Sequence, residues 1–115
     1  MKCPTLNRAW QFELVYSQGR KRTCRALVLF YLASAGDNRV AYVASRKVGG
    51  AVARNRAKRL MRVAFRQVLE RAPAARGWLV MVARRDIARL KSRQVEEHLR
   101  GLLEEFQTES EPPPS

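Results

Sequence analysis

Apolar residues recur along this chain at two different spacings, one typical of helices and one typical of strands. The helical spacing predicts a first helix over residues 6–17, capped by Thr5 and ended by Gly19. Its apolar side chains fall in two rows, Leu6, Trp10 and Leu14 in one and Phe12 and Tyr16 in the other. From the residues alone, the aromatic row is either a part of the core or a surface on which unpaired bases stack.

Runs of branched and aromatic residues predict strands over residues 26–32, 39–45 and 77–83. The turn residues at 35–38 lie between the first two runs, so we expect an antiparallel hairpin there. A short further strand is expected at 46–48. The run at 77–83 is almost wholly apolar, which predicts an interior position in the sheet.

A long basic helix is predicted from residue 51 to residue 71, with Pro73 beyond its end. At roughly 100° per residue, cations and one amide fill one arc, and apolar side chains fill another. The cationic arc holds Arg54, Asn55, Lys58, Arg59, Arg62 and Arg66. The apolar arc holds Ala53, Ala57, Leu60, Met61, Ala64 and Val68, and Arg56 and Phe65 stand at the borders.

The cationic arc has no acidic residues to balance it, because the sequence from Asn38 to Leu69 contains no Asp or Glu. Like charges four residues apart, such as Lys58 and Arg62, repel one another and weaken the helix slightly. Most charge runs are solvated surface, but those usually interleave both signs. The pattern therefore favours a surface that binds a polyanion such as a nucleic acid.

A last amphipathic helix is predicted over residues 92–106, and a disordered tail rich in Glu, Ser and Pro over 108–115. The predicted order is α-β-β-β-α-β-α. This order indicates an α+β fold, an α/β sandwich in which helices pack on a sheet of about four strands. We expect one RNA-binding domain over residues 1–107, which suits a chain of 115 residues.

Charge is distributed unevenly around a net value of +13. Residues 1–91 hold 21 Lys and Arg against four acids, whereas residues 92–115 hold two Arg against six Glu. No apolar run reaches the roughly 20 residues of a membrane span, and no signal-peptide pattern is evident. We expect a cytoplasmic protein with no membrane partner, in which Cys3 and Cys24 are reduced.

The residues needed for hydrolysis are missing from the basic part of the chain. Phosphodiester cleavage requires clustered carboxylates for metal ions, or a His with a second acid or base. The sole histidine, His98, lies on the acidic last helix, where a surface or boundary position is the simpler interpretation. We therefore expect no catalytic residue, no metal site and no small-molecule cofactor in the chain itself.

Residues 47–62 resemble the signature of the bacterial ribonuclease P protein component. This stretch reads Lys-Val-Gly-Gly-Ala-Val-Ala-Arg-Asn-Arg-Ala-Lys-Arg-Leu-Met-Arg, and the resemblance extends to Phe12, Tyr16 and Gly19. It implies a fold similar to the second domain of a small-subunit ribosomal protein. It also implies a left-handed βαβ crossover through the basic helix, against the usual hand of such connections.

The resemblance also implies a function, namely the protein subunit of ribonuclease P, which removes the 5′ leader from precursor tRNA. Ribonuclease P RNA would be the catalytic partner and would hold the Mg²⁺ ions. Positions expected at the RNA subunit are Arg46, Lys47, Arg54, Asn55, Arg56, Lys58, Arg59, Arg62 and Arg66. Phe12, Tyr16 and Phe30 would bind the leader of precursor tRNA, and Arg20, Lys21, Arg22 and Arg25 are our own candidates for its phosphates. The alternative is a ribosomal or RNA-assembly protein with no role in cleavage.

Overall fold

A computed structural model of the protein describes residues 5–33, 38–71 and 77–110. Its elements, in chain order, are helix α1 (Ala9–Gln18), strands β1 (Arg20–Thr23), β2 (Leu27–Ala33) and β3 (Arg39–Val43), helix α2 (Ala51–Arg71), strand β4 (Gly77–Ala83), a 3-10 helix (Arg85–Arg89) and helix α3 (Ser92–Ser110). The expected α+β class and the order α-β-β-β-α-β-α are confirmed. Pro73, expected beyond the end of the basic helix, and most of the predicted turn at 35–38 lie outside the described residues.

The four strands form a mixed sheet in the order β1-β2-β4-β3. Strand β4 pairs antiparallel with β2 on one side and parallel with β3 on the other. The interior position predicted for β4 is confirmed, and the expected hairpin between β2 and β3 is wrong. The physical reason is that β4 is apolar on both faces, so it takes the centre, where both faces are covered.

Strand β1 replaces the strand that was expected at residues 46–48. Residues 45–49 instead form turns, in which the amides of Val48 and Gly49 donate to the carbonyls of Ser45 and Arg46. The Arg-Lys-Arg-Thr sequence of β1 contains one usual strand former, Thr23, and the segment is a strand because it pairs with β2. Its position at the edge of the sheet suits long cationic side chains, which remain in water.

Helix α1 begins at Ala9, three residues later than predicted, so Thr5 is not its cap. Thr5 bridges to Val40, and the amide of Leu6 donates to the carbonyl of Val40, which places this segment along the free edge of β3. Gln11 supplies a hydrogen-bond acceptor for the backbone at the start of α1, because its Oε1 accepts from the amides of Asn7 and Arg8 at 3.0 Å each.

Helices cover both faces of the sheet and thereby define two apolar clusters. The larger cluster lies under α2 and α3 and includes Leu29, Met61, Met81 and Leu99, all fully buried. The smaller one lies under α1 around Val15 and Val80. Helix α3 runs to Ser110 and so takes in the first three residues of the expected tail, while residues 111–115 lie outside the described part. The connection β3-α2-β4 joins neighbouring parallel strands, and the left-handed crossover expected for it stays a prediction.

Candidate nucleic-acid interface

The entry to α2 is shaped by two consecutive glycines with different roles. Gly49 has φ +145°, a backbone conformation that L side chains rarely adopt, and a Cβ there would lie 2.9 Å from the Cβ of Ala53. Gly50 has ordinary backbone, and a Cβ there would meet no atom within 4 Å. The turn therefore explains Gly49, whereas the protein fold gives no reason for a glycine at 50. An open backbone at the start of a helix is suited to close approach by a phosphate.

One face of α2 is buried against the sheet and α3, as its pattern predicts. Ala57, Met61, Ala64 and Val68 are each at most 3% exposed. Phe65, placed at the border by sequence, is also buried at 3%. The core-facing arc is therefore shifted toward Phe65, and this shift leaves Arg54 and Lys58 half-buried at its margin.

The opposite face of α2 presents cations to solvent. Asn55, Arg59, Arg62 and Arg66 are exposed, and Arg46 and Lys47 are exposed in the turn before the helix. In residues 5–33, 38–71 and 77–110, no carboxylate forms an ion pair with any cation of this face. The guanidinium of Arg62 lies over the ring of Tyr42, 5.6 Å from its centroid. That contact holds the cation in place without neutralising it.

Arg56 departs from the other residues expected at the RNA subunit. Its Nη1 donates to the carbonyl of Ala88 in the 3-10 helix at 3.1 Å. It therefore lies on the border of α2 that faces away from Arg62, beside a shallow, mainly apolar groove of ≈ 460 Å³. The structure thus groups Arg54, Lys58, Arg59, Arg62 and Arg66 on one surface and places Arg56 on a neighbouring one.

The aromatic residues predicted to act together do meet in space. Tyr16 lies edge-on to Phe30, with ring centroids 4.8 Å apart, and Phe12 lies 6.3 Å from Tyr16. The ammonium group of Lys21 stands 5.8 Å from the centroid of Phe30. Burial raises the pKa of Tyr16 above its ordinary value of 10.0. This surface, the Phe12 cluster, offers ring faces and a cation but no negative charge of its own.

The arginines expected beside the Phe12 cluster point elsewhere. Arg20 is the register partner of Tyr31, which belongs to the core under α2 and α3, so it lies on the other sheet face from Phe30. Arg22 shares that face and pairs with Glu105 of α3 at 3.7 Å. Arg25, in the turn between β1 and β2, pairs with Asp86 at 3.5 Å. Among these basic residues, the structure brings only Lys21 to the cluster.

The 3-10 helix adds cations that the sequence did not single out. Arg84, Arg85 and Arg89 are exposed, and the segment packs against α2 through Arg56 and the groove. Arg84 also ties β4 to the β1–β2 hairpin, because its Nη1 donates to the carbonyl of Cys24 at 2.9 Å. The density of Arg in this segment was the available signal, but only the fold shows that it neighbours the start of α2.

The described residues offer nothing that would hold a metal ion. Across residues 5–33, 38–71 and 77–110, no three His, Cys, Asp or Glu side chains come together in a suitable group. The described part of the chain thus offers no ligand set that fits a Mg²⁺ ion. In the same residues no helix is both long and apolar enough to cross a membrane.

A family model and the similar relatives described below all point to the same protein family. Residues 1–107 match the family model described as Ribonuclease P. A ribonuclease P protein component from a Nitratiruptor species is 35% identical over 100 residues, which cover 87% of this chain and 89% of the relative. That of Caldanaerobacter subterraneus subsp. tengcongensis is 35% identical over 104 residues, covering 89% and 88%.

A solved structure shows the same fold. The RNase P protein from Thermotoga maritima superposes with a TM-score of 0.76 at 26% identity, covering 88% of this chain and 96% of that one. The family match thus covers almost the whole chain, including the cationic face of α2. The solved structure shares the fold of this chain. The chain belongs to the ribonuclease P protein component family and is a subunit of the endoribonuclease that processes tRNA.

Proposed function

We propose that the exposed face of α2 binds the RNA subunit of ribonuclease P. The observation that carries this proposal is the set of cations with no carboxylate partner among the described residues, Arg54, Lys58, Arg59, Arg62 and Arg66. Their mutual repulsion weakens the helix in isolation, and a polyphosphate surface would offset it. Arg46, Lys47 and Asn55 extend the same surface toward the helix start.

The start of α2 adds backbone donors to this surface. Free amides and the positive end of the helix dipole both attract phosphate. The amide of Arg54 is already used by the carbonyl of Gly50 at 2.9 Å, so the amides before it are the available donors. The absence of a side chain at Gly50 leaves the approach to them open. Arg56 acts differently in this proposal, because it ties α2 to the 3-10 helix.

The Phe12 cluster is proposed to bind the single-stranded leader of precursor tRNA. Unpaired bases stack on exposed rings with a contribution of about 1–3 kcal/mol each. Phe12, Tyr16 and Phe30 supply the rings, and Lys21 supplies a cation beside them. Arg20 is left out of this proposal because its register places it on the opposite face.

The catalytic Mg²⁺ ions are proposed to lie on the RNA subunit. The described residues contain no group suited to a metal ion, so the protein contributes binding and charge compensation rather than metal ligands. A cytoplasmic location goes with this role, since the RNA subunit and precursor tRNA would be met there.

The direct test mixes the protein with a bacterial ribonuclease P RNA and precursor tRNA at low Mg²⁺. We expect cleavage at the mature 5′ end to be faster with the protein than with RNA alone, because the protein screens phosphate repulsion. A protein that leaves the RNA-alone rate unchanged at every Mg²⁺ concentration would refute the proposal.

The leader site is tested by replacing one ring. Phe12→Ala should weaken binding of precursor tRNA by the holoenzyme by roughly fivefold or more, and should leave mature tRNA unchanged. Phe12→Leu keeps the apolar volume without the ring face, so it should behave like Phe12→Ala if stacking is the interaction. Equal weakening of precursor and mature tRNA would contradict a leader site.

A further inference from the structure

The two tryptophans of the chain form a pair on the surface, outside the sites described above. Trp10 of α1 and Trp78 of β4 have ring centroids 5.9 Å apart at an interplanar angle of 57°. Trp78 is half-buried, while Trp10 is 57% exposed, one of the most exposed large apolar residues in the described chain. A ring supported on one side and open to solvent on the other is a surface on which a base can stack.

Helix α1 separates this pair from the Phe12 cluster. Gln11 and Val15 are buried beneath the helix, so the sheet lies on their side of it. At 100° per residue, Trp10 then falls on one flank and Phe12 and Tyr16 on the other. The two aromatic surfaces lie on the same sheet face, on either side of a helix that is about 10–12 Å across with its side chains.

The surroundings of the tryptophan pair are basic. Arg39 is the register partner of Trp78, and alternation along β3 puts it on the same face as Ala41 and Val43, under α1. Arg8, the residue before α1, is exposed two positions before Trp10. Glu13, the one acid of α1, is exposed three residues after Trp10, so its side chain neighbours Trp10 on the helix surface. Two cations against one acid favour an anionic partner, and the exposed ring favours an unpaired nucleotide as that partner.

We propose that Trp10, supported by Trp78, is a second stacking site for an unpaired base of the precursor leader, upstream of the bases on the Phe12 cluster. This inference rests on the proposed leader site. The leader is favoured over the RNA subunit as the source of the base because α2 and its cations pack on the other face of the sheet. A strand on the Phe12 cluster is the nearest RNA, and it needs only a few further nucleotides to pass α1.

The first experiment measures affinity of the holoenzyme for precursors whose leaders are lengthened one nucleotide at a time. With the unmodified protein, affinity should rise in two stages as the leader reaches the Phe12 cluster and then Trp10. Trp10→Ala should remove only the second stage, a loss of roughly fivefold or more for long leaders, and Trp10→Tyr should restore most of it. Gln18→Ala is the control, because Gln18 is an exposed residue at the other end of α1 and belongs to neither aromatic surface.

The outcome separates this inference from the proposed function. Loss of both stages in Phe12→Ala, with neither stage changed in Trp10→Ala, would overturn the inference and leave the leader site standing. No dependence on leader length in the unmodified holoenzyme would overturn both. An equal loss for long and short leaders in Trp10→Ala would also overturn the inference, since it would indicate damage to the whole of α1.

A second measurement uses tryptophan emission, since both tryptophans belong to this pair. Emission of the holoenzyme should be quenched by precursors with long leaders and not by those with short leaders or by mature tRNA. Quenching that is complete on adding the RNA subunit alone would overturn the assignment to the leader. Trp10→Phe should lose most of the leader-dependent quenching while keeping the affinity.

Discussion

Arg59 provides the sharpest test of the cationic face, because its change should have opposite effects on the free protein and on the complex. It is exposed, it has no ion-pair partner among the described residues, and its helical neighbours Arg56 and Arg62 carry the same charge. Arg59→Gln removes the charge and keeps a long side chain of similar helix propensity. The free protein should become more stable while binding to the RNA subunit becomes weaker.

The magnitudes follow from charge spacing and from counterion release. Each like-charge pair three or four residues apart costs about 0.2–0.5 kcal/mol, so relief of the repulsion should raise Tm by roughly 1–4 °C. One lost phosphate contact should reduce the slope of log K against log salt by about 0.9. At 0.15 M salt this change in slope corresponds to roughly fivefold weaker binding of Arg59→Gln to the RNA subunit. The difference in affinity between the variant and the unmodified protein should shrink toward 1 M salt.

The assay pairs thermal unfolding of the free protein with RNA-subunit binding from 0.05 to 0.5 M salt. Arg93→Gln is the matched control, since Arg93 is an exposed arginine of α3 that lies three and four residues before Glu96 and Glu97. It should lower the stability slightly and leave the salt slope unchanged. The reasoning fails if Arg59→Gln lowers Tm, or if the two variants change the slope equally.

Four further substitutions probe the backbone, the core and the ionisation of the fold. Gly49→Ala should lower the stability because of its positive φ, whereas Gly50→Ala should leave folding intact and weaken RNA binding; equal effects on unfolding would contradict the distinction. Met61→Ala, at a fully buried position, should cost about 2–5 kcal/mol in urea unfolding. Burial raises the pKa of Tyr31 above 10.0, and nearby Arg20 lowers it in part. The neutral phenol therefore stabilises the fold below pH 10, that stability is lost as pH rises through the raised pKa, and Tyr31→Phe should fall less steeply there.

The cationic and aromatic sites differ in how far local sequence could define them. The bounds predicted for α2 agree with Ala51–Arg71, and its two faces follow from helical periodicity alone. Phe12 and Tyr16 share a flank for the same reason. The face of Arg20 and Lys21 could not be assigned, because assigning it requires knowing that residues 20–23 form a strand and which residues they oppose. The family resemblance predicts Arg56 among the RNA-facing cations, and only the fold shows its hydrogen bond to the carbonyl of Ala88, 32 residues away.

Local pattern by itself determined which segments are helices, which apolar faces they bury, and that one helix carries charge the chain does not balance. These properties depend on residues a few positions apart, so the sequence contains them directly. Only the tertiary structure decided that β4 stands between β2 and β3, that Lys21 rather than Arg20 meets Phe30, and that Trp10 meets Trp78. Each of these depends on which strands pair and in which register, and a pairing between distant segments is set by the burial of the whole sheet rather than by either segment alone.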